Sequence, residues 1–291
     1  KFVHYRPRTA VLNNLEHDHA DIYPDVAAIE WQFAQLLRMV PASGRVISNA
    51  AAPHLHNVIA RGCWTPVETF SADPAAGAQW SLAVEPDGDY SRFEICEGER
   101  RVGRVEWAMP GRHNAENALA AFVAARHAGV AEPVILEAIG RFAGVRRRME
   151  VRGRVDGVVV YDDFAHHPTA IAATIDGLRR RIGGARLVAV LEPRSNTMKH
   201  GTHRSALGPA LSAADRVWLY QPPTIDWDVA GAVADLEDRA TVARDFDALL
   251  SGLLADVRPG DHVLIMSNGG FGGLHARLLD ALEARTARQA G

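Results

Sequence analysis

The chain has 291 residues, of which 47% are hydrophobic and 23% charged, and its formal net charge is −3. These values are typical of a globular protein, and the near-neutral charge argues against broad electrostatic capture of nucleic acid or of an anionic membrane. At this length two domains are the default expectation. All but two of the basic residues are arginine, and neither Lys1 nor Lys199 follows the glycines of a Walker A loop, so the chain contains no P-loop.

The cysteines and the hydropathy of the sequence indicate the cellular compartment in which the protein works. Cys63 and Cys96 form no C-x-x-C pair, and no apolar run reaches the roughly 18 residues that a membrane span needs. We therefore predict a cytoplasmic protein with neither a membrane nor a nucleic-acid partner. Because the chain starts abruptly at Lys1, we expect the natural N-terminus to lie upstream.

The first half of the sequence predicts mixed α/β structure. Apolar spacing and turn residues predict strands at 9–15, 46–48, 80–84, 91–96 and 102–107, the last three separated by hairpin-like turns. The same criteria predict helices at 24–39, 53–61, 114–127 and 133–142.

In the second half of the sequence, predicted strands and helices alternate regularly. Predicted strands at 158–161, 187–191, 217–220, 241–243 and 262–266 alternate with predicted helices at 169–181, 204–213, 229–236, 246–255 and 274–288. This alternation predicts parallel βαβ units in a doubly wound α/β sheet, which binds ligands beyond the carboxyl ends of its strands. We predict a domain boundary after Arg148, giving domains 1–148 and 149–291.

Two polar segments of the first half could bind ligands. Residues 13–21 carry Glu16, His17, Asp18 and His19, whose carboxylates and imidazoles suit a divalent ion, with Mg²⁺ favoured by phosphate chemistry. A solvated turn that caps the next helix is the alternative, and a hydrolase pattern H-x-H-x-D-H is disfavoured because Ile22 replaces its last histidine. Residues 111–117 open a helix, either as a cap or as an anion or nucleotide site.

Four segments of the second half are candidates for a site. The arginines 146–148 could bind phosphate or simply face solvent, and residues 162–168 place two acids and two histidines after an apolar strand. In 192–200, Arg194 and Lys199 could hold substrate carboxylates. The glycine-rich run 267–273 comes too late in the chain to be a dinucleotide fingerprint, so we interpret it as a substrate loop.

Taken in order, these segments resemble the Mur ligases, ATP-dependent amide-bond ligases of peptidoglycan. Residues 13–21 resemble N-x-x-x-D-H-x-D, residues 111–117 G-x-H-N-x-x-N, residues 144–150 G-x-x-x-R-[FM]-E, and residues 162–169 D-D-[YF]-[AG]-H-H-P-T. The last motif belongs to the branch that uses UDP-N-acetylmuramate. The resemblance implies a central ATPase domain without its P-loop, followed by a Rossmann-like C-terminal domain.

Within that branch two activities compete. The stretch E-P-R-S-N-T-M-K-H-G at 192–201, the run 267–271 and the opening 1–7 resemble the member that attaches the tripeptide L-Ala-γ-D-Glu-meso-diaminopimelate during cell-wall recycling. The alanine-adding member has P-H-R-[YF]-[ST]-R in place of that stretch. Rivals from other classes are a non-catalytic nucleotide-binding module and a dinucleotide oxidoreductase. The missing P-loop predicts that the 291 residues alone have no ligase turnover.

The resemblance also implies residue roles, with ATP and Mg²⁺ as cofactors and UDP-N-acetylmuramate and the tripeptide as substrates. The implied catalytic residues are His19, Arg148 and His167. For the metal, the resemblance implies Glu16 and His19 as Mg²⁺ ligands, with Asp18 nearby. For ATP, it implies that His113, Asn114 and Asn117 contact the adenine, Arg148 a phosphate and Asp163 the ribose. For the substrate, it implies contacts from Arg194, Ser195, Asn196, Ser267 and Phe271. Arg148 and Asp163 are expected on opposite sides of the domain joint. The carbamylated lysine of some members has no counterpart in 24–39.

Overall fold

A computed structural model describes residues 2–290, so Lys1, which belongs to the opening resemblance, lies outside the described residues. The chain divides into two compact units, Lys1–Ala143 and Gly144–Gly291. The predicted boundary after Arg148 lies five residues beyond this division. No helix among residues 2–290 is long and apolar enough to cross a membrane.

The first unit is built on a six-stranded sheet in the order β1-β2-β3-β4-β5-β6. The first four strands pair in parallel and the last two are antiparallel. The strands are β1 (Thr9–Leu12), β2 (Arg45–Asn49), β3 (Val67–Ser71), β4 (Trp80–Ala83), β5 (Arg92–Glu97) and β6 (Arg100–Glu106). The helices are α1 (Val26–Leu37), α2 (Pro53–Ala60), α3 (Arg112–His127) and α4 (Glu132–Gly140), with short 3-10 turns at Phe2–His4 and Pro74–Ala76.

Capping and one buried carboxylate fix the first two helices of this unit. The Asp25 side chain accepts from the Ala28 N–H and so begins α1. Glu30 of α1 is buried and is bonded to the side chains of His54 and Asn57 in α2 and of Arg61 directly after it. The hydrogen bonds from Asn57 and His54 hold the pKa of Glu30 below its ordinary value against the opposing effect of burial, so this carboxylate joins α1 to α2 in its charged form.

The structure differs from the sequence-based elements at two places in this unit. The predicted strand 9–15 ends at Leu12, because polar residues follow and only Leu15 turns back into the core. Strand β3 was not predicted, although its Phe70 is buried in the centre of the sheet.

The second unit contains the predicted doubly wound sheet, in the order β11-β10-β9-β12-β8-β7. All its strands pair in parallel except β7. The strands are β7 (Glu150–Val155), β8 (Val158–Asp163), β9 (Leu187–Leu191), β10 (Arg216–Tyr220), β11 (Ala240–Ala243) and β12 (His262–Met266). The helices are α5 (Pro168–Ile182), α6 (Asn196–Lys199), α7 (Arg204–Leu211), α8 (Val229–Ala232), α9 (Phe246–Asp256) and α10 (Leu274–Ala290). Apolar clusters cover both faces of this sheet, which explains why strands β8, β9 and β12 are apolar almost throughout.

In this unit one predicted helix is wrong in detail, and two elements were not predicted. The single helix expected at 229–236 is broken, because α8 ends at Ala232 and a 3-10 segment Ala234–Arg239 follows, with Glu237 at a φ of 53°. The short helix α6 was not predicted. The edge strand β7 was also missed, since its sequence E-V-R-G-R-V is mostly polar; it forms a hairpin with β8 and shifts register between Val151 and Gly153.

Candidate functional site

In the first unit, the loop after β1 lies against the start of α3. The Asn13 Nδ2 donates to Asn117 Oδ1 at 3.0 Å, which joins the segment predicted to bind Mg²⁺ to the segment predicted to bind the nucleotide. Asn117 is exposed, as a ligand contact requires, and His113 lies one turn earlier on α3. Asn114 is 7% exposed and its amide donates to the Pro110 carbonyl at 2.7 Å, so this side chain holds the turn that enters α3.

The predicted metal residues lie on a tight turn in the same loop. His19 is exposed and adopts a φ of 54°, and its carbonyl accepts from the N–H groups of Ile22 and Tyr23. Asp18 orders the turn by accepting from the His19 N–H at 2.8 Å, and Glu16 accepts from Asn14. Within residues 2–290 no three His, Cys, Asp or Glu side chains are grouped so that they could hold a metal ion. The Mg²⁺ contacts expected of Glu16 and His19 therefore stay a prediction.

In the second unit, Asp163 ends β8 as a buried carboxylate with main-chain partners. It is 2% exposed, its Oδ1 accepts from the Ala165 N–H and its Oδ2 from the Met149 N–H, each at 2.8 Å. Burial raises the pKa of Asp163, against the lowering effect of these hydrogen bonds and of Arg148. Asp163 therefore orders the residues just before β7 and just after β8. A ribose hydroxyl that bonded to Asp163 would have to share carboxylate oxygens that already accept these main-chain hydrogen bonds.

The expectation that Arg148 and Asp163 lie on opposite sides of a domain joint is wrong. Both belong to the second unit, and the residue after Arg148 donates its N–H to Asp163. The Arg148 side chain is exposed, with its guanidinium carbon 5.5 Å from the centre of the Phe164 ring. Its neighbours Arg147 and Met149 have φ values of 59° and 52°, an unusual pair for residues with side chains. Arg148 thus projects from a backbone that its surroundings must hold in place.

Arg147, which was not singled out from its neighbours in the sequence, joins two loops of the sheet. Its Nη2 donates to the carbonyls of Ser267 and Gly269, both at 2.7 Å, and its Nε lies 3.3 Å from Asp162 Oδ1. The loop after β12 is thereby fastened to the end of β8. Only the fold brings these residues together, because about 120 positions separate Arg147 from the carbonyls it binds.

Ser267 connects the ends of three adjacent strands through its hydrogen bonds. Its N–H donates to the Asp163 carbonyl, its Oγ donates to Glu192 at 2.5 Å and accepts from the Gly269 N–H at 2.9 Å. This side chain is 1% exposed, so Ser267 shapes the loop through these bonds, and its expected substrate contact stays a prediction. Glu192 is the partner that the sequence did not indicate.

Phe271 is likewise an interior residue. Its ring is 1% exposed and packs against Tyr220 and Phe246, with ring centres 6.1 and 6.3 Å away. The loop therefore directs this ring into the core, and the expected peptide contact of Phe271 stays a prediction.

The loop after β9 carries an exposed cation, Arg194. Arg194 is exposed and its side chain lies directly on the α-carbon of Gly269. Ser195 caps α6, because its Oγ accepts from the Met198 N–H at 3.2 Å, while Asn196 is exposed at the start of that helix. The predicted residues Arg194 and Asn196 are thus at the surface, and Ser195 has a capping role.

Two histidines meet beside these loops. His167 caps α5 by accepting from the Thr169 N–H, and its ring lies edge-on to that of His203, with ring centres 4.5 Å apart. His203 immediately precedes α7 and was not predicted, because no local pattern distinguishes it from an ordinary surface histidine. The segments that follow β8 and β9 thus bring His167 and His203 into contact, and Arg194 lies on the loop that Arg147 holds.

We expect the stability of the chain to depend on pH through His275, which lies 3.3 Å from Asp162. Burial lowers the pKa of His275, with Arg152 and Arg147 acting the same way and Asp162 and Glu150 opposing them. As the pH falls through about 6.5, the unfolded chain takes up this proton first, so the stability present above that pH is lost toward the lower folded pKa. The urea midpoint should decrease from about pH 7.5 to about pH 5.5, and less steeply in His275→Gln; equal slopes would contradict this.

Two family models cover most of the chain. A model of the Mur ligase middle domain matches residues 1–125, and a model of the Mur ligase glutamate ligase domain matches residues 147–269. The chain belongs to the Mur ligase family. The family resemblance and the α/β fold class expected from the motifs are thereby confirmed.

Individual Mur ligases extend this result. The UDP-N-acetylmuramate–L-alanyl-gamma-D-glutamyl-meso-2,6-diaminoheptandioate ligase of Escherichia coli strain K12 is 48% identical over 97% of this chain and 61% of its own length. The UDP-N-acetylmuramate–L-alanine ligase of Mycobacterium sp. strain JLS is 31% identical over 98% of this chain and 61% of its own length. The crystal structure of a murein peptide ligase from Psychrobacter arcticus 273-4 has a TM-score of 0.70 at 39% identity and covers 97% of this chain and 59% of that one. The chain spans about three fifths of the length of the curated relatives it matches.

The Mur ligase motifs occupy two places in the structure. Segments 13–21 and 111–117 meet in the first unit through the Asn13–Asn117 hydrogen bond. In the second unit, segments 144–150, 162–169, 192–201 and 267–271 surround the ends of β8, β9 and β12. Each set is a compact group of loops within its own unit.

Proposed function

We propose that this chain forms the nucleotide-binding and peptide-binding part of an ATP-dependent ligase that joins UDP-N-acetylmuramate to L-Ala-γ-D-Glu-meso-diaminopimelate in peptidoglycan recycling. The observation that carries the proposal is the exposed Arg194 lying on the 267–269 loop, in a stretch that resembles the tripeptide-adding member. The 48% identity to the Escherichia coli ligase, against 31% to an alanine-adding relative, supports the same choice. Since ATP and UDP-linked sugars are cytoplasmic compounds, the proposal implies a cytoplasmic protein.

The proposed reaction needs cations because two anions, the muramyl carboxylate and the γ-phosphate of ATP, must approach each other. A carboxylate oxygen of the muramyl group attacks the γ-phosphorus of ATP and ADP leaves; the peptide amine then attacks the acyl carbon, phosphate leaves, and the nitrogen loses a proton. Arg148 would bind the phosphate whose charge develops during transfer. Glu16 and His19 would hold Mg²⁺, which neutralises phosphate charge when bound. Asn117 and His113 would meet the adenine, and His167 the acceptor end of the substrate.

The charge of the peptide explains why Arg194 matters. The tripeptide has carboxylates on its glutamyl and diaminopimelyl residues, at some distance from the reacting amine, whereas L-alanine has one carboxylate beside its amine. Arg194 and the nearby Lys199 are cations on the loop and short helix that follow β9. An arginine fork binds a carboxylate through two parallel hydrogen bonds, so a distal carboxylate is the group that this side chain recognises.

The deciding experiment compares the two amines. Since the chain has no Walker A lysine, turnover is measured in a protein where a Walker A segment precedes Lys1, for example a chimera with the N-terminal part of the Escherichia coli relative; we call this the P-loop-containing ligase. We expect ATP-dependent amide formation with the tripeptide and much slower formation with L-alanine. Faster turnover with alanine would overturn the proposal.

A variant tests the assigned carboxylate contact. Arg194→Ala should raise the KM for the tripeptide about 10–100-fold, because a hydrogen bond between charged groups contributes about 1.5–3 kcal/mol. Arg194→Lys keeps the charge without the fork and should fall between Arg194→Ala and the parent protein. The KM for ATP is the internal control and should stay within about twofold; an unchanged tripeptide KM in Arg194→Ala would remove Arg194 from the site.

A further inference from the structure

We propose that Gly269 is a specificity-positioning residue: its missing β-carbon lets the Arg194 side chain pack against the loop at Gly269 and so aims its guanidinium at a substrate carboxylate. This inference rests on the proposed function, because it takes Arg194 as the group that binds the peptide. Gly269 would act through Arg194 and would touch no reacting atom.

The contact between the two residues leaves no space for a side chain at position 269. A β-carbon built on Gly269 would meet the Nη1 of Arg194, and would lie 2.5 Å from its Cζ and 2.6 Å from its Cδ. Real β-carbon contacts are not this short, so an alanine here forces one of the partners to move. The backbone of Gly269 is not among the glycines with positive φ, so the requirement for glycine comes from Arg194 and not from the local conformation.

The loop cannot be the partner that moves. The Gly269 carbonyl accepts from Arg147 Nη2 at 2.7 Å, and its N–H donates to Ser267 Oγ at 2.9 Å. Arg147 is itself held by Asp162, and Ser267 by Glu192, so both polar groups of Gly269 are fixed from the interior of the unit. Arg194 is exposed and can rotate away at small cost. An alanine at 269 should therefore displace the guanidinium and leave the fold in place.

The neighbouring glycine offers a matched control. Gly270 belongs to the same loop, has an ordinary φ of −79°, and a β-carbon there would meet nothing within 4 Å. Gly269→Ala and Gly270→Ala thus add the same methyl group to adjacent positions, and only the first collides with Arg194. Any effect of added bulk or reduced backbone freedom in the loop is shared by the two variants.

The test is a double-mutant cycle in the P-loop-containing ligase, using the tripeptide and ATP. We expect Gly269→Ala to raise the tripeptide KM about tenfold or more with the thermal midpoint and the KM for ATP unchanged, and Gly270→Ala to match the parent. In an Arg194→Ala background, Gly269→Ala should add nothing further, because the group it displaces is already gone.

The outcomes separate this inference from the function on which it rests. If the parent protein does not use the tripeptide, the proposed function fails. If it does, and Gly269→Ala equals Gly270→Ala or adds its full effect to Arg194→Ala, then Gly269 does not position Arg194 and the inference is wrong. A large fall in the thermal midpoint of Gly269→Ala alone would likewise overturn it, by showing that the loop and not Arg194 had yielded.

Discussion

Asp163→Ala should destabilise the second unit by about 2–4 kcal/mol. The substitution removes the acceptor for two main-chain donors, the N–H groups of Met149 and Ala165, in a place that is 2% exposed. An unsatisfied buried donor costs about 1–3 kcal/mol, and the neighbouring φ values of 59° at Arg147 and 52° at Met149 are maintained only while such bonds hold them. Urea unfolding of the chain measures the loss directly.

Two further variants make this measurement specific. Asp163→Asn keeps one acceptor oxygen and removes the charge. Because the raised pKa of Asp163 indicates that burial of this charge is costly, we expect Asp163→Asn to lose less stability than Asp163→Ala. Asp176→Ala removes an exposed aspartate of α5 that pairs with Arg180 on the surface, and it should change stability by less than about 0.5 kcal/mol. If Asp163→Ala resembled Asp176→Ala, the assigned role of Asp163 would be refuted.

The convergence of the site loops in the second unit could be predicted from the sequence. Strands β8, β9 and β12 are apolar on both faces, which predicts parallel pairing, and parallel neighbours bring their carboxyl ends to one edge. The polar segments after these strands were therefore expected to lie together. Their hydrogen bonds confirm it, since Ser267 contacts both Asp163 and Glu192.

The direction of individual side chains could not be predicted. A glycine-rich run containing Ser267 and Phe271 indicates a mobile surface loop, yet both side chains are buried because the fold supplies Glu192 for the hydroxyl and Tyr220 and Phe246 for the ring. The motif at 144–150 selects Arg148, but nothing in the sequence indicates that its neighbour Arg147 binds the carbonyls of Ser267 and Gly269. Such assignments depend on partners that lie tens to more than a hundred residues away along the chain.

The missed elements have a related physical cause. Strand β7 has alternating arginines and a central glycine, a poor strand pattern, and it forms because β8 offers it an edge with which to pair. The helix expected at 229–236 has suitable apolar spacing, but α8 ends at Ala232, and the 3-10 segment Ala234–Arg239 leads the chain into β11. In both places tertiary pairing decides the structure against local preference.

Arg148→Ala should lower the turnover of the P-loop-containing ligase about 10²–10³-fold, the usual effect of removing one donor to charge that develops in a transition state. Its guanidinium is exposed and lies over the face of Phe164, a contact of roughly 0.5–1 kcal/mol, so the variant should remain folded. Arg148→Lys should recover part of the rate, because it restores the charge without the fork.

Arg146→Ala is the matched control for this effect, since Arg146 is also exposed and lies two positions earlier in the same arginine run. Removing it takes the same charge from the surface, so a general electrostatic attraction for ATP would reduce the rates of both variants similarly, and more strongly at low salt. A specific phosphate contact reduces only the Arg148 variant, with kcat affected more than the KM for the tripeptide. If Arg148→Ala and Arg146→Ala lowered the turnover equally, the arginine run would act only as a charged surface, and the proposed contact between Arg148 and the phosphate would be wrong.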